Sequence, residues 1–256
     1  MSKTISVQIA ERIMTIRIQR PQARNALNRA MYQQLTAALQ QAEADADVRV
    51  ALISGCEGSF SSGNDIDDFL QSEDDAESLA PVVDFLHQLA AFPKPLVAAV
   101  NGVAIGIGTT MLLHCDLVYA ADSAQFQLPF VNLGVVPEGG SSLLLPAMLG
   151  HQQAAELLLL GERFDAVSAQ QKGFVNAVIS HEELLDYARN QALKLADKPP
   201  AAMVAAKALL KSQRGRPLSQ VLETEIALFA KHLRSPEAQE ALLAFKQRRK
   251  PDFSEF

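Results

Sequence analysis

Strand signals run as far as Ile179 and then cease, and no other feature constrains the fold of this chain as strongly. Before that point short β-type runs alternate with helical ones. Ile5, Val7 and Ile9, then Ile13, Thr15 and Arg17, alternate on either side of Ala10-Glu11-Arg12, as in a β-hairpin. Asn28 is placed to cap a helix whose apolar residues Met31, Leu35, Ala38 and Leu39 recur at helical spacing. Residues 50–53, 96–100, 116–120 and 175–179 read as strands, and 82–89, 106–115 and 154–160 as helices. Residues 55–65 read as a loop, and 137–150 as a loop running into a helix. After His181 every periodic stretch is helical: 182–195, 201–211, 218–232 and 236–246. The pattern predicts an α/β core over residues 1–198, joined at Lys198-Pro199-Pro200 to a helical region over 199–256.

The stretch from Leu96 to Leu113 is apolar apart from Asn101, Thr109 and Thr110, and its length approaches a membrane span. Asn101-Gly102 is a turn signal in its middle, so a buried strand, a turn and a buried helix are expected instead. The N-terminus has no apolar signal-peptide core and the C-terminus no peroxisomal address, so a cytoplasmic protein without membrane association is expected. A net charge of −6 argues against a general affinity for nucleic acid, which needs a basic surface. Cys56 and Cys115 lie in apolar stretches with no metal-like spacing around them, and they read as reduced thiols. The five histidines are scattered and suggest no nucleophilic pair. The acidic stretch from Asp65 to Glu77 reads as a solvated loop.

Three segments carry candidate chemistry. The first is Phe60-Ser61-Ser62-Gly63-Asn64-Asp65. The second runs from Pro93 to Gly108 and contains Asn101-Gly102-Val103-Ala104-Ile105-Gly106-Ile107-Gly108. Each places a small-residue loop before a helix start, where unpaired N–H groups can hold an anion. Converging, two such loops would form an oxyanion hole. The third segment is Gln125 to Phe130 followed by Leu133-Gly134-Val135-Val136-Pro137-Glu138-Gly139-Gly140. It sets Glu138 at a helix start, where a carboxylate is either a catalytic base or an acid favoured by the helix dipole. Asp65 reads as a helix-start acid, and Asn101 as a turn residue.

In this order and separation the three segments, with Arg20-Pro21 and Asn25-Ala26-Leu27 ahead of them, resemble the crotonase (enoyl-CoA hydratase/isomerase) superfamily over nearly the whole chain. The resemblance implies a superhelix of ββα units with two sheets, closed by C-terminal helices, and a homotrimer or dimer of trimers. It implies an acyl-CoA thioester as substrate, coenzyme A being part of that substrate and no further cofactor or metal being needed. The thioester carbonyl would be polarised by the N–H groups of Ser62 and Ile107. Arg24, Ala26, Ser61, Gly63, Asn64, Asp65, Ile66, Phe130 and Leu133 would line the substrate site. Arg24 and the basic run Lys246 to Lys250, through Arg248 and Lys250, would meet the CoA phosphates.

The departures from the family narrow the expectation. Thr110 and Phe130 stand where hydratases carry two glutamates, and Glu138 stands where they usually have glycine. Pro137-Glu138-Gly139 resembles Δ3,Δ2-enoyl-CoA isomerases of the peroxisomal type, in which one glutamate shuttles a proton. The expectation is therefore one-base isomerisation of a 3-enoyl-CoA to a 2-enoyl-CoA through a dienolate. The alternatives are another reaction of the superfamily, such as hydration or isomerisation of a ring-derived CoA ester, and a catalytically silent acyl-CoA-binding subunit.

Overall fold

A computed structural model describes residues 4–56, 58–70, 79–212 and 217–254. The alternation at the N-terminus forms β1 (Ile5–Ala10) and β2 (Ile13–Ile18), paired antiparallel from Ile5 opposite Ile18 to Ala10 opposite Ile13. α1 (Arg29–Ala44) starts at Asn28, whose Oδ1 accepts the Met31 N–H at 3.0 Å. It buries Met31, Tyr32, Leu35, Ala38, Leu39 and Ala42, the face that the spacing marks as apolar. Lys94 Nζ finishes this region by donating to the carbonyls of Ala42, Asp45 and Val48 at 2.7–2.8 Å.

In chain order the remaining strands are β3 (Val50–Ser54), β4 (Ser59–Ser61), β5 (Leu96–Val100), β6 (Val103–Ile105), β7 (Leu117–Ala121), β8 (Gln125–Gln127), β9 (Phe164–Asp165) and β10 (Ala177–Ile179). Two sheets result. One has six strands in the order β1-β2-β3-β5-β7-β10, parallel beyond β2; the other has four, β4-β6-β8-β9. All residues of β3 and β5 are buried, which is why they read as continuous apolar runs rather than alternating ones. The helices between and after them are α2 (Ile66–Leu70), α3 (Ala80–Ala91), α4 (Ile107–Thr110), α5 (Ser141–Leu149), α6 (His151–Ala155), α7 (Ala166–Gln171), α8 (Leu184–Ala196), α9 (Pro200–Ser212), α10 (Leu218–Leu233) and α11 (Pro236–Lys246). α1 and α8 pack on the six-stranded sheet, α10 packs on α3 and α5, and α11 on a 3-10 turn at Val131–Leu133.

The second sheet is where the sequence reading falls short. Residues 55–65 are not only a loop, since β4 lies within them, and the Asn101-Gly102 turn leads first into β6, not directly into a helix. β4, β6 and β8 have three residues each, too few for a period-2 pattern to stand out. The helix expected over 106–115 is α4 followed by a 3-10 turn at Met111–His114, and that over 154–160 ends in a π turn at Glu156–Leu160. Among the described residues no helix is long and apolar enough to cross a membrane. Of the acidic stretch, Ile66–Leu70 forms α2 and residues 71–78 lie outside the described residues.

Candidate active site

β4 pairs in parallel with β6, and this pairing brings the first two candidate segments side by side. The approach is close. A Cβ on Gly108 would stand 2.5 Å from the Ser61 carbonyl oxygen, so only glycine allows α4 to begin there. The loop before α1 clasps the same segment. Asn25, fully buried, accepts the Arg20 N–H at 2.8 Å and donates to the Ser59 carbonyl at 2.7 Å. Ser59 Oγ and Ser61 Oγ donate to the Arg24 and Asn25 carbonyls at 2.8 and 3.0 Å.

This clasp corrects one expectation. The Ser62 N–H donates to the Arg24 carbonyl at 3.1 Å, and Ser62 Oγ to the Ala23 carbonyl at 3.2 Å. The Ser62 amide is thus already engaged and is not free for a thioester oxygen. Two residues on, Leu27 N–H donates to Gly63 O and Asp65 N–H to Leu27 O, both at 2.8–2.9 Å, which skips the amide of Asn64. Among the described residues the N–H groups of Asn64 and Ile107 donate to no protein acceptor. Both amides are thus open to an oxygen acceptor.

Glu138 is 5% exposed. Thr110 Oγ1 donates to its Oε1 at 2.5 Å. Burial pushes the Glu138 carboxyl up, the Thr110 hydroxyl draws it down and the charge of Glu225 pushes it up again, leaving it at about 8. The turn behind it is built from Gly139 and Gly140, at φ of 69° and 75°. It is closed by Ser141, whose N–H and Oγ donate to the Glu138 carbonyl at 3.2 and 2.7 Å. His114 Nε2 bonds the Gly139 carbonyl at 2.7 Å. Glu138 opens onto a cavity of about 20 Å³ lined by Asn64, Leu79, Val82, Val83, Leu86, Ile226 and Phe229.

Of the expected substrate residues, Asn64 reaches this cavity. Its Oδ1 accepts a short hydrogen bond from the Tyr32 hydroxyl. Burial, then the charges of Glu138 and Asp68, hold the Tyr32 phenol well above its ordinary pKa, so it remains a donor. Asp65 has a structural job. It pairs with Arg20 at 2.5 Å and caps α2 through the N–H groups of Asp67 and Asp68. Its slight burial raises its pKa, but the Arg20 hydrogen bond and charge outweigh that, and the net shift is downward. Asp65 is thus a poor base. Ser61 and Phe130 are buried, Gly63 takes φ of 97°, Ile66 opens α2, the Ala26 carbonyl accepts from Arg20, and Leu133 is half-buried. Arg24, Arg248 and Lys250 are exposed and none lines the Glu138 cavity. In the basic run, Lys246 pairs with Asp67 at 2.5 Å and Arg249 with Glu240 at 2.5 Å.

Two residues of the site escaped the sequence reading. Tyr32 looked like any apolar-face residue of α1. Glu225 carried one signal, a carboxylate on the stripe formed by Leu222, Ile226 and Phe229 of α10.

The geometry of a buried carboxylate, two free amides and an apolar cavity agrees with what this chain is similar to. A family model described as enoyl-CoA hydratase/isomerase matches residues 8–255. The 2,3-dehydroadipyl-CoA hydratase of Escherichia coli (strain K12) is 36% identical over 243 residues, covering 95% of each chain. Enoyl-CoA delta isomerase 2 of Rattus norvegicus is 34% identical over 253 residues, covering 97% of this chain and 64% of that protein. Among solved structures, Pseudomonas aeruginosa OdaA superposes with a TM-score of 0.91 at 47% identity, over 95% of this chain and 99% of that one. This chain belongs to the enoyl-CoA hydratase/isomerase family, the crotonase superfamily.

Proposed function

We propose that the protein moves a double bond in an acyl-CoA, from the 3,4 to the 2,3 position, with Glu138 as the one base. The reading rests above all on the burial of a single carboxylate at the cavity, hydrogen-bonded by Thr110 and facing Asn64. Ionised Glu138 takes a proton from C2. The electron pair left behind moves into the thioester carbonyl, and the oxyanion receives hydrogen bonds from the N–H groups of Asn64 and Ile107. Glu138 then returns the proton to C4, and the pair in the dienolate closes to the 2,3 double bond. A thioester α-proton is too weakly acidic for a free carboxylate to remove quickly, so the two amides and the exclusion of water supply much of the rate.

Hydration is the second reading, favoured by the name of the E. coli relative. It asks for a second group to hold and activate water, and Thr110 and Phe130 bring no carboxylate. The test is a comparison of wild type and Glu138→Gln on a 3-enoyl-CoA and on crotonyl-CoA. The variant is expected to lose about 10²–10⁴-fold in isomerisation, the usual weight of a general base. Wild-type hydration equal to or faster than isomerisation, or a variant keeping more than about a tenth of its isomerase activity, rejects the reading.

A further inference from the structure

α5 begins without a side-chain cap. Its N-cap is Gly140, and Gly139 before it is also left-handed, so the turn carrying Glu138 contains two successive residues that glycine leaves conformationally loose. The first-turn N–H groups need acceptors from elsewhere. They find them 83–85 residues away along the chain. Glu225 of α10, 4% exposed, accepts the Gly140 N–H on Oε2 at 2.6 Å and the Ser142 N–H on Oε1 at 2.9 Å. α10 also closes the space around the turn, for a Cβ on Gly140 would meet Leu218 Cδ1 at 2.6 Å.

We propose that Glu225 is the positioning residue of the base: by clamping the N–H groups of Gly140 and Ser142 it fixes the glycine turn from which Glu138 reaches the substrate. The inference rests on Glu138 being the base. A carboxylate that must take a proton at one carbon and release it two carbons away tolerates little drift of its own backbone. His114 and Ser141 hold the turn from the core side. Glu225 holds it from the C-terminal helices, so the covering of the site by α10 also becomes part of its alignment.

Charge gives Glu225 a second effect. Burial raises its pKa overall, while hydrogen bonds from the Ser142 side chain and from the N–H groups of Ser142 and Gly140 favour its ionised form. The groups around Glu138 are Thr110 from α4, Tyr32 from α1, His114 from the 3-10 turn and Glu225 from α10, while α3 offers Val82, Val83 and Leu86. Among these Glu225 is the source of negative charge, so it makes Glu138 a stronger base as well as a better-placed one.

The experiment compares wild type, Glu225→Gln, Glu225→Ala and Glu138→Gln for kcat, KM and the pH dependence of kcat/KM on a 3-enoyl-CoA, with thermal melts to identify temperatures at which each variant is folded. Glu225→Gln keeps one acceptor oxygen and removes the charge. Its high-pH kcat is expected to fall by about tenfold or more with KM unchanged, and the midpoint of its pH profile to move down. Glu225→Ala is expected to lose more. A folded Glu225→Gln with wild-type kcat and midpoint overturns the inference, whatever happens to the melting temperature, since a cap serving stability alone leaves both unmoved. If Glu225→Ala does not fold, Glu225→Gln alone decides the matter. Glu138→Gln separates the two levels. Loss of turnover there with none in Glu225→Gln leaves the base assigned and this inference rejected; full turnover there rejects both.

Discussion

The pH dependence of turnover offers a direct quantitative test of the buried base. In the free enzyme Glu138 sits at about 8 because it is taken out of water and faces the charge of Glu225. Only the ionised form can accept the C2 proton. At pH 6 about one molecule in a hundred carries that form, at pH 7 about one in ten, and at pH 8 about half. The value of kcat/KM, which reports groups of the free enzyme, should therefore rise about fiftyfold between pH 6 and pH 8 and level off above about pH 9. The assay is the initial rate of 2-enoyl-CoA formation from a subsaturating 3-enoyl-CoA across that range. A profile flat from pH 6 to 8 refutes the reasoning, because an ordinary surface glutamate is fully ionised throughout. Stability should move in the opposite direction. Between the unfolded value near 4.5 and about 8 the folded chain keeps a proton that the unfolded chain releases, so this contribution is fully present below 4.5 and is lost as pH rises through 8. The whole window is worth at most about 5 kcal/mol, and urea midpoints at pH 5.5 and 8 would detect even a fraction of it.

Three further outcomes are expected. Changing Arg248 and Lys250 together to Ala should weaken CoA binding at low salt and matter less as salt rises, since both are exposed; equal affinity at low salt, by calorimetry, would leave them as solvated surface. Lys207→Ala should cost about 3 kcal/mol in denaturant unfolding. Its Nζ is buried against Asp116 at 2.6 Å and the Lys94 carbonyl at 2.7 Å, and the change strands Asp116 without its cation; a loss below about 1 kcal/mol would show that water replaces the lysine. Light scattering after size exclusion should give three or six chains, because α9 buries little besides Lys207 and leaves Leu209 and Leu210 67% and 77% exposed; a clean monomer contradicts it.

The sequence by itself determined the frame. The β1–β2 hairpin, the Asn28 cap, the buried runs of β3 and β5 and the all-helical end each depend on periodicity and caps, which operate over a few neighbouring residues. It also put Glu138 forward as a candidate, at a helix start where it could be a base or a dipole-favoured acid, and the resemblance of Pro137-Glu138-Gly139 to the isomerases chose the base. Tertiary structure decided the rest. Which amides are free is a question of where each donor goes, and the Ser62 N–H is engaged because the loop before α1 lays the Arg24 carbonyl against it. The three-residue strands β4 and β6 have too little pattern to announce themselves, yet their pairing is what sets Ser61 and Gly63 against Gly108 and Ile105. Tyr32 and Glu225 reach the site from α1 and α10, about a hundred residues away on either side of Glu138. No local signal carries such distances: a hydrogen bond or the reach of a buried charge depends on separation in space, which the chain fixes only when it has folded.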